Sequence, residues 1–105
     1  MLEGVKIEAL SRLFKVFGEP TRIKILWALN VHDLCVLDIC EVLGMTKSAV
    51  SHQLSTLKEA KLVRARREGK EVYYALDDEH EKEIFETGIV HVTHICKEHQ
   101  KGERK

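Results

Sequence analysis

The residues best suited to chemistry lie near the C-terminus, in the segment DDEHEKEIFETGIVHVTH, residues 77–94. This segment contains one carboxylate and three imidazoles at regular intervals, namely Asp78, His80, His91 and His94. Imidazole nitrogens and carboxylate oxygens are typical ligands of Zn(II). At about 100° per residue, the three histidines fall within about 60° of one another on a helix. The spacing therefore predicts a helix that carries its histidines on one stripe.

One stripe does not make one metal site. Eleven residues at about 1.5 Å each separate His80 from His91 by about 16 Å along the axis, whereas a metal ligand lies about 2 Å from its ion. His91 and His94 can share an ion, and Asp78 can share one with His80 if it caps the helix. A two-fold dimer with antiparallel helices would join the two halves. The pattern predicts two identical inter-subunit sites, each with three imidazoles and one carboxylate.

This donor set favours particular ions. Without a thiolate it suits Zn(II) in tetrahedral geometry, with Co(II) as the natural surrogate. Ni(II) prefers more ligands, and His99 could supply one. A simpler interpretation is that His94 and His99 only complement the dipole at the helix C-terminus. A zinc enzyme needs an open coordination position and a substrate cleft. Four ligands between two packed helices provide neither, so we expect no catalysis and no small organic substrate.

The elements that must position these residues can be read from apolar periodicity. A first helix runs to about Gly18, and Pro20 starts a second, PTRIKILWALN. A short helix, VLDICEVLG, ends at Gly44, and Thr46 can cap the next, KSAVSHQLSTLKEA. Alternating residues in LVRARREGKEVYYAL predict a β-hairpin before the histidine helix. The order predicts a mainly α fold with a small β-hairpin, a winged helix-turn-helix, in one domain spanning residues 1–105.

Charge is distributed unevenly along the chain. Lys and Arg number 17 and Asp and Glu number 17, yet residues 46–70 hold seven basic residues against Glu59 and Glu68. The polar face of the helix KSAVSHQLSTLKEA combines hydroxyls, an imidazole and lysines with no acid. Such a patch on a neutral protein predicts DNA binding. We expect a cytoplasmic protein without a membrane segment, because no apolar run approaches membrane length.

Three stretches resemble the ArsR/SmtB family of metal-responsive repressors: FGEPTRIKILWAL, DLCVLDICEVLGMTKSAVSHQLSTLKEAKLV and RREGKEVYYAL. The Asp-x-His…His-x-x-His pattern is also similar to that of members that sense zinc or cobalt. The resemblance implies a homodimer that binds an imperfect inverted repeat of operator DNA, is released by metal and controls efflux or homeostasis genes. It implies DNA contacts by six residues: Lys47, Ser48, Ser51, His52, Arg67 and Lys70.

The resemblance also divides the chain by role. It implies dimerisation helices at residues 1–17 and 78–99, a helix-turn-helix at 36–60 and a wing at 62–76. Some family members bind soft metals through two thiolates in the short helix, but here Leu37 stands at the second position and residues 1–31 contain no Cys or His. We therefore expect Cys35, Cys40 and Cys96 to be packed thiols. The alternative is a thiol or persulfide sensor of the same fold that uses Cys35 or Cys40 with Cys96.

Overall fold

The protein, described by a computed structural model over residues 3–103 and for side chains over residues 3–97, is built from five helices and three short strands. The side chain of His99 lies outside the described residues. The elements are α1 (Gly4–Phe17), α2 (Pro20–Val31), β1 (Leu34–Cys35), α3 (Val36–Leu43), α4 (Lys47–Glu59), β2 (Val63–Glu68), β3 (Glu71–Leu76) and α5 (Glu79–Glu103). This order confirms the predicted winged helix-turn-helix.

Local signals account for the helix ends. The Glu19 side chain accepts a hydrogen bond from the Arg22 backbone N–H at 3.0 Å, which caps α2 directly before Pro20. Gly44 ends α3 in the left-handed region with φ of 65°, a conformation that costs glycine little. Thr46 then caps α4 by accepting from the Ala49 N–H at 3.1 Å. These short connections fix α3 and α4 as a helix-turn-helix.

The core forms where α2, α3 and α4 meet the base of the hairpin. Its fully buried centre consists of Ile25, Leu26, Ile39, Val50, Leu54 and Leu57. Leu62, Val63 and Phe85 extend it towards the hairpin and α5. Because α4 supplies three of the central residues, its apolar face is fixed and its polar face is left to solvent.

The hairpin is part of a sheet that has one strand more than the sequence predicted. β2 pairs with β3 from Val63↔Leu76 to Glu68↔Glu71, and the chain reverses at Gly69, whose φ is 61°. β1 adds to the other edge of β3 with Leu34 opposite Tyr74, giving the antiparallel order β1-β3-β2. Two residues are too few to show alternation, so periodicity could not reveal β1.

The first and last helices are poorly covered by the rest of the chain. α1 has no buried residue and exposes Val5, Ile7, Leu10 and Phe14. α5 is anchored by Glu81, Phe85 and Ile89, whereas every described residue from Val90 to Lys97 is exposed. In the described part of the chain, no helix has the length and apolar character needed to span a bilayer.

Candidate metal centre and nucleic-acid interface

Asp78 forms the N-terminal cap of α5. Its Oδ1 accepts hydrogen bonds from the backbone N–H groups of His80 at 2.8 Å and Glu81 at 3.1 Å. Glu81 Oε1 in turn accepts from the Asp78 N–H at 2.9 Å, so the two acids form a reciprocal capping box. The Asp78 carboxylate is therefore held against the first turn of the helix.

His80 lies beside that carboxylate. Its Nδ1 is 3.9 Å from Asp78 Oδ1, and the side chains of His80 and Asp78 are 89% and 56% exposed. Two donors about 2 Å from a tetrahedral ion lie about 3.3 Å apart, so the two side chains are close enough in space to be considered as a pair. Both capping hydrogen bonds use Oδ1, so capping leaves Oδ2 unused. Asp78 and His80 thus fit half of a zinc site.

His91 and His94 lie almost one turn apart on the same helix, and both are exposed. Because α5 is continuous between them and His80, one chain keeps the two pairs about 16 Å apart. Among the residues that the structure describes, no three His, Cys, Asp or Glu side chains are grouped closely enough to hold a metal ion. A single chain therefore presents two separate candidate pairs of donors, Asp78 with His80 and His91 with His94.

Glu81 is a buried acid that the sequence analysis did not single out. It is 6% exposed, and burial raises its pKa from the ordinary value to about 7, against hydrogen bonds from the backbone of Asp78 and Asp77 that lower it. Its Oε2 has no hydrogen-bond partner within the described residues. The Asp-x-x-Glu spacing at the helix start was the signal that could have revealed it.

The polar face of α4 is accessible. Lys47, Ser48, Ser51 and His52 are all exposed, on the side opposite Val50 and Leu54. Arg22 Nε donates to Gln53 Oε1 at 3.0 Å, which ties α4 to α2. The helix is fixed at its N-terminus, along its apolar face and at its middle. Its polar side chains are consequently presented on a rigid element.

The basic residues of the hairpin divide into two groups. Arg64 Nη1 donates to the carbonyl oxygens of Asp77 at 2.6 Å and Leu76 at 3.2 Å, and Arg66 pairs with Asp33. The Arg66 guanidinium also lies 5.4 Å from the centre of the Tyr73 ring. The sequence analysis did not identify this use of Arg66, because Asp33 is remote in the chain.

The second group lies nearer the hairpin tip. Arg67 and Lys70 are exposed, and within the described side chains neither forms a hydrogen bond or an ion pair. Their charges are therefore available to a polyanion, while those of Arg64 and Arg66 stabilise the hairpin itself.

The cysteines lie in different environments. Cys35 is buried at the start of α3, Cys40 is half-buried and Cys96 is exposed on α5. The backbone N–H of Asp38 lowers the pKa of the Cys35 thiol, but burial and the nearby carboxylates of Asp38 and Glu71 together raise it above the ordinary value. A raised pKa makes a thiol a poorer nucleophile at neutral pH.

Comparison with known proteins places this geometry in context. Residues 19–65 match the family described as "Bacterial regulatory protein, arsR family". A cadmium resistance transcriptional regulatory protein CadC homolog of Staphylococcus aureus is 37% identical over 88 residues, which cover 83% of this chain and 73% of that protein. A transcriptional repressor SmtB homolog of Synechocystis is 36% identical over 74% of this chain, but the match spans only 59% of that relative's length.

A solved structure is also similar. The homodimeric winged helix-turn-helix DNA-binding domain Mb0332 of Mycobacterium bovis, a possible ArsR-family regulator, superposes with a TM-score of 0.80 at 29% identity. The superposition covers 85% of this chain and 82% of that one. The relatives are transcriptional regulators, which confirms the expectation that the chain is not an enzyme.

Proposed function

The chain belongs to the arsR family of bacterial regulatory proteins, and on that premise we propose that it is a zinc-sensing repressor that binds operator DNA as a homodimer. Co(II) is the alternative effector. The observation that carries this proposal is the pair of half-sites on α5, with Asp78 and His80 at its start and His91 and His94 further along one stripe. Each half-site supplies two donors, and neither is a complete site in one chain.

A homodimer is supported by uncovered apolar surface. α1 and α5 expose eight large apolar side chains, and contiguous exposed apolar surface is typical of protein interfaces. They are Val5, Ile7, Leu10, Phe14, Ile84, Val90, Val92 and Ile95. Residues 1–17 and 78–99 are accordingly the proposed dimerisation helices, in a single domain spanning residues 1–105. The similar Mycobacterium bovis domain is homodimeric.

Binding to double-stranded DNA is supported by the exposed face of α4 and by the hairpin. In the proposed helix-turn-helix, residues 36–60, α4 would enter the major groove, where Lys47, Ser48, Ser51 and His52 reach base edges or phosphates. In the proposed wing, residues 62–76, Arg67 and Lys70 would contact the backbone or the minor groove. Two copies related by a two-fold axis would recognise an imperfect inverted repeat.

The metal preference follows from the donors. Two antiparallel α5 helices would bring Asp78 and His80 of one copy to His91 and His94 of the other, twice per dimer. Three nitrogens and one oxygen fit Zn(II), which accepts four-coordinate tetrahedral geometry. Ni(II) would need a further ligand, such as His99, and is the least favoured of the three ions. Genes of metal efflux or homeostasis are the proposed targets in the cytoplasm.

Regulation would follow from linkage between the two sites. Zinc bound between the α5 helices would stabilise one arrangement of the dimer, and the two copies of α4 are rigidly joined to that dimer through the core. If that arrangement fits the operator poorly, zinc weakens DNA binding, and DNA must weaken zinc binding by the same factor. A coupling of about 1–3 kcal/mol gives a fivefold to 150-fold response.

Operator release by zinc tests the proposal directly. Fluorescence anisotropy of an operator duplex would be measured with metal-free protein, then with Zn(II), for the wild type and for Asp78→Ala and His91→Ala. We expect release by zinc in the wild type and continued binding in both variants. His32→Ala, which changes an exposed histidine outside α5, is the control. Zinc-induced release that persists in both α5 variants would exclude these residues as the sensor.

Cobalt reports the geometry independently of DNA. Co(II) added to the metal-free protein should give the intense visible bands of a tetrahedral site, and Zn(II) should displace it. Absence of these bands would argue against a four-ligand site. The thiol-sensor alternative predicts something different, namely release by an oxidant or persulfide that is lost in Cys35→Ser or Cys96→Ser. The burial and raised pKa of Cys35 do not favour it.

A further inference from the structure

The hairpin reaches well beyond the part of it that the core holds. In β2, Val63 is 2% exposed, whereas residues 66–70 are all exposed. At about 3.3 Å per residue, Arg67 lies about 13 Å along the strand from Val63. The direction of this outer part, which carries Arg67 and the tip residue Lys70, therefore depends on contacts other than those of the core.

Arg66 makes such a contact across the sheet. Its guanidinium pairs with Asp33 and lies 5.4 Å from the centre of the Tyr73 ring. Asp33 directly precedes β1, and β3 lies between β1 and β2 in the sheet. The ion pair consequently passes over β3 and joins the two outer edges of the sheet. We call Asp33, Tyr73 and Arg66 the cross-sheet bridge.

The strand register places these side chains on one face of the sheet. Arg66 is opposite Tyr73, and Tyr73 is opposite Cys35, so these residues form a row across the strands. Asp33 is two residues before Cys35, which puts it on the same face because side chains alternate along extended chain. Arg67 follows Arg66 directly and therefore lies on the other face. The cross-sheet bridge thus leaves Arg67 available to another partner.

Asp33 is itself attached to the core through α2. It lies two residues beyond Val31, where α2 ends, and the same helix contributes Leu26 and Leu29 to the buried core. Exposed ion pairs contribute little to the free energy of unfolding of a whole protein. Because the side chains of Arg66 and Asp33 are 47% and 43% exposed, the main consequence of the cross-sheet bridge is local. It ties the outer hairpin to a fixed element and so sets the direction of the hairpin.

We propose that Asp33 is a positioning residue for DNA binding, and that this acid raises operator affinity although its charge has the same sign as the phosphates. Through Arg66 it holds the hairpin in the direction in which Arg67 and Lys70 reach the duplex. Fixing that direction in the free protein reduces the conformational entropy that is lost on binding. Asp33 makes no DNA contact of its own. The inference rests on the proposed operator binding and is independent of the metal hypothesis.

Charge alone predicts the opposite effect. A carboxylate near DNA repels the phosphates, and Asp33 also neutralises Arg66, one of the basic residues of the hairpin. Removal of the carboxylate would on that basis strengthen binding, because it makes the field of the hairpin more positive. A positioning role predicts weaker binding instead. The sign of the change in affinity on Asp33→Ala therefore separates the two explanations.

The matched variants Asp33→Ala and Glu71→Ala provide this test. Both remove an exposed carboxylate from the sheet region, but among the described side chains Glu71 forms no ion pair. Fluorescence anisotropy of metal-free protein would be measured with a duplex selected from random sequences by the wild type. We expect Asp33→Ala to weaken binding about fivefold or more, within the range of coupling between residues of one network, and Glu71→Ala not to weaken it. Unchanged or tighter binding by Asp33→Ala would overturn the inference.

A double-mutant cycle determines whether Asp33 acts through Arg66. If it does, Asp33→Ala weakens binding in the wild type but not in an Arg66→Ala background, where the cross-sheet bridge is already broken. Asp33→Glu keeps the carboxylate and should retain most of the affinity. Equal weakening by Asp33→Ala in both backgrounds would contradict the inference, since Asp33 would then affect DNA binding without Arg66.

The hairpin tip reports the direction of the hairpin more specifically than the total affinity does. Lys70→Ala should weaken binding by the wild type, because phosphate contacts are lost. In the Asp33→Ala background the same substitution should have a smaller effect, because the tip no longer reaches the duplex. A general loss of folding would not produce this dependence, and urea unfolding measures it separately. A full effect of Lys70→Ala in both backgrounds would overturn the positioning role.

Failure of the inference can be distinguished from failure of the proposed function. A wild type with which no duplex can be selected would remove the proposed DNA binding and this inference together. A wild type that binds a selected duplex, with an Asp33→Ala variant that binds it equally well, would contradict only the inference. Because no metal is added, the response to zinc has no influence on either result.

Discussion

Helices α4 and α5 are both amphipathic, but they differ in how much of each is completed by one chain. The apolar residues of α4, Val50, Leu54 and Leu57, are all fully buried, and its polar face is free. α5 buries Phe85 near its start and leaves Ile84, Val92 and Ile95 exposed. The function proposed for α4 can be argued from a single copy, whereas the function proposed for α5 requires a second.

This difference indicates where regulation would reside. A surface that is rigid in one chain presents the same DNA-reading side chains whether or not an effector is bound. A helix whose outer half lacks a partner in its own chain can change its packing at the interface without disturbing the core. The proposed metal half-sites lie on α5, which is an element of the second kind. Metal binding there can therefore alter the arrangement of the two α4 helices of a dimer without changing either helix.

Complementation between two defective chains would produce the largest effect. One variant carries Asp78→Ala and His80→Ala, and the other carries His91→Ala and His94→Ala. Each homodimer then has only half of every site, and we expect zinc affinity to fall more than 100-fold, beyond the loss typical of removing a supporting residue. A heterodimer of the two regains one complete site. Calorimetric titration of zinc into the separate and co-refolded chains would measure this.

The stoichiometry of the mixture sharpens the test. Random pairing makes half of the dimers heterodimeric, so the refolded mixture should bind about a quarter of the zinc bound by the wild type. A site built within one chain could not be restored by mixing. Zinc binding by either variant alone at wild-type affinity would therefore show that α5 does not depend on its partner in the way proposed.

Apolar truncations would separate the two helices by their concentration dependence. Leu54→Ala removes a buried side chain of α4, and we expect it to lower the free energy of unfolding by about 2–5 kcal/mol at any protein concentration. Ile84→Ala should cost less, and its cost should fall at protein concentrations low enough to separate the dimer into folded monomers, because Ile84 is proposed to be covered only in the dimer. Urea unfolding at two concentrations, one above and one below the dimer dissociation constant, would measure both effects.

The opposite pattern would reverse the comparison. If Ile84→Ala has the same effect at both concentrations while Leu54→Ala does not, α4 rather than α5 would be the helix that depends on a second copy for its packing. Glu86→Ala on the outer face of α5 is the control, and it should change the free energy of unfolding by less than about 0.5 kcal/mol.

The sequence predicted the fold well where local signals and core periodicity agree. Gly44 and Thr46 delimit the turn before α4, and Gly69 marks the reversal of the hairpin, each through a conformation or a hydrogen bond that needs no distant residue. The four residues of the proposed half-sites remain a prediction, in which helix geometry alone sets the spacing within each pair. The structure shows Asp78 at the capping position that the pairing requires.

What the sequence did not predict depends on residues far apart in the chain. Two-residue β1 exists because β3 offers it an edge, and Arg66 is held by Asp33 across the sheet. Of the apolar side chains of α5, Phe85 and Ile89 join the core of the same chain, whereas Ile84 and Val92 do not. Periodicity identifies an apolar face without showing which partner covers each part of it.

The polar face of α4 gives a smaller effect that depends on salt. Lys47→Ala should weaken operator binding by about tenfold, because a Lys that neutralises a phosphate releases counterions. Because the dimer carries two copies of Lys47, the substitution should also reduce the slope of log affinity against log salt by about two. Lys97→Ala on α5 removes the same charge from an exposed site that is not expected to meet DNA, and it should leave both quantities unchanged. Anisotropy titrations at four salt concentrations would measure them.

Thiol chemistry should have the smallest functional effect and still distinguish the two helices. Cys96, which is exposed on α5, should react with iodoacetamide at pH 7.5 at least tenfold faster than Cys35, which is buried at the start of α3 and has a raised pKa. Because the higher pKa reduces the thiolate fraction at neutral pH, the alkylation rate of Cys35 should continue to rise at pH values above the ordinary pKa of a thiol. Mass spectrometry of timed digests would follow each site. Modified protein should still release operator DNA on adding zinc, since neither thiol belongs to the proposed half-sites. Loss of the zinc response after alkylation of Cys96 would instead indicate that the part of α5 around Cys96 takes part in sensing.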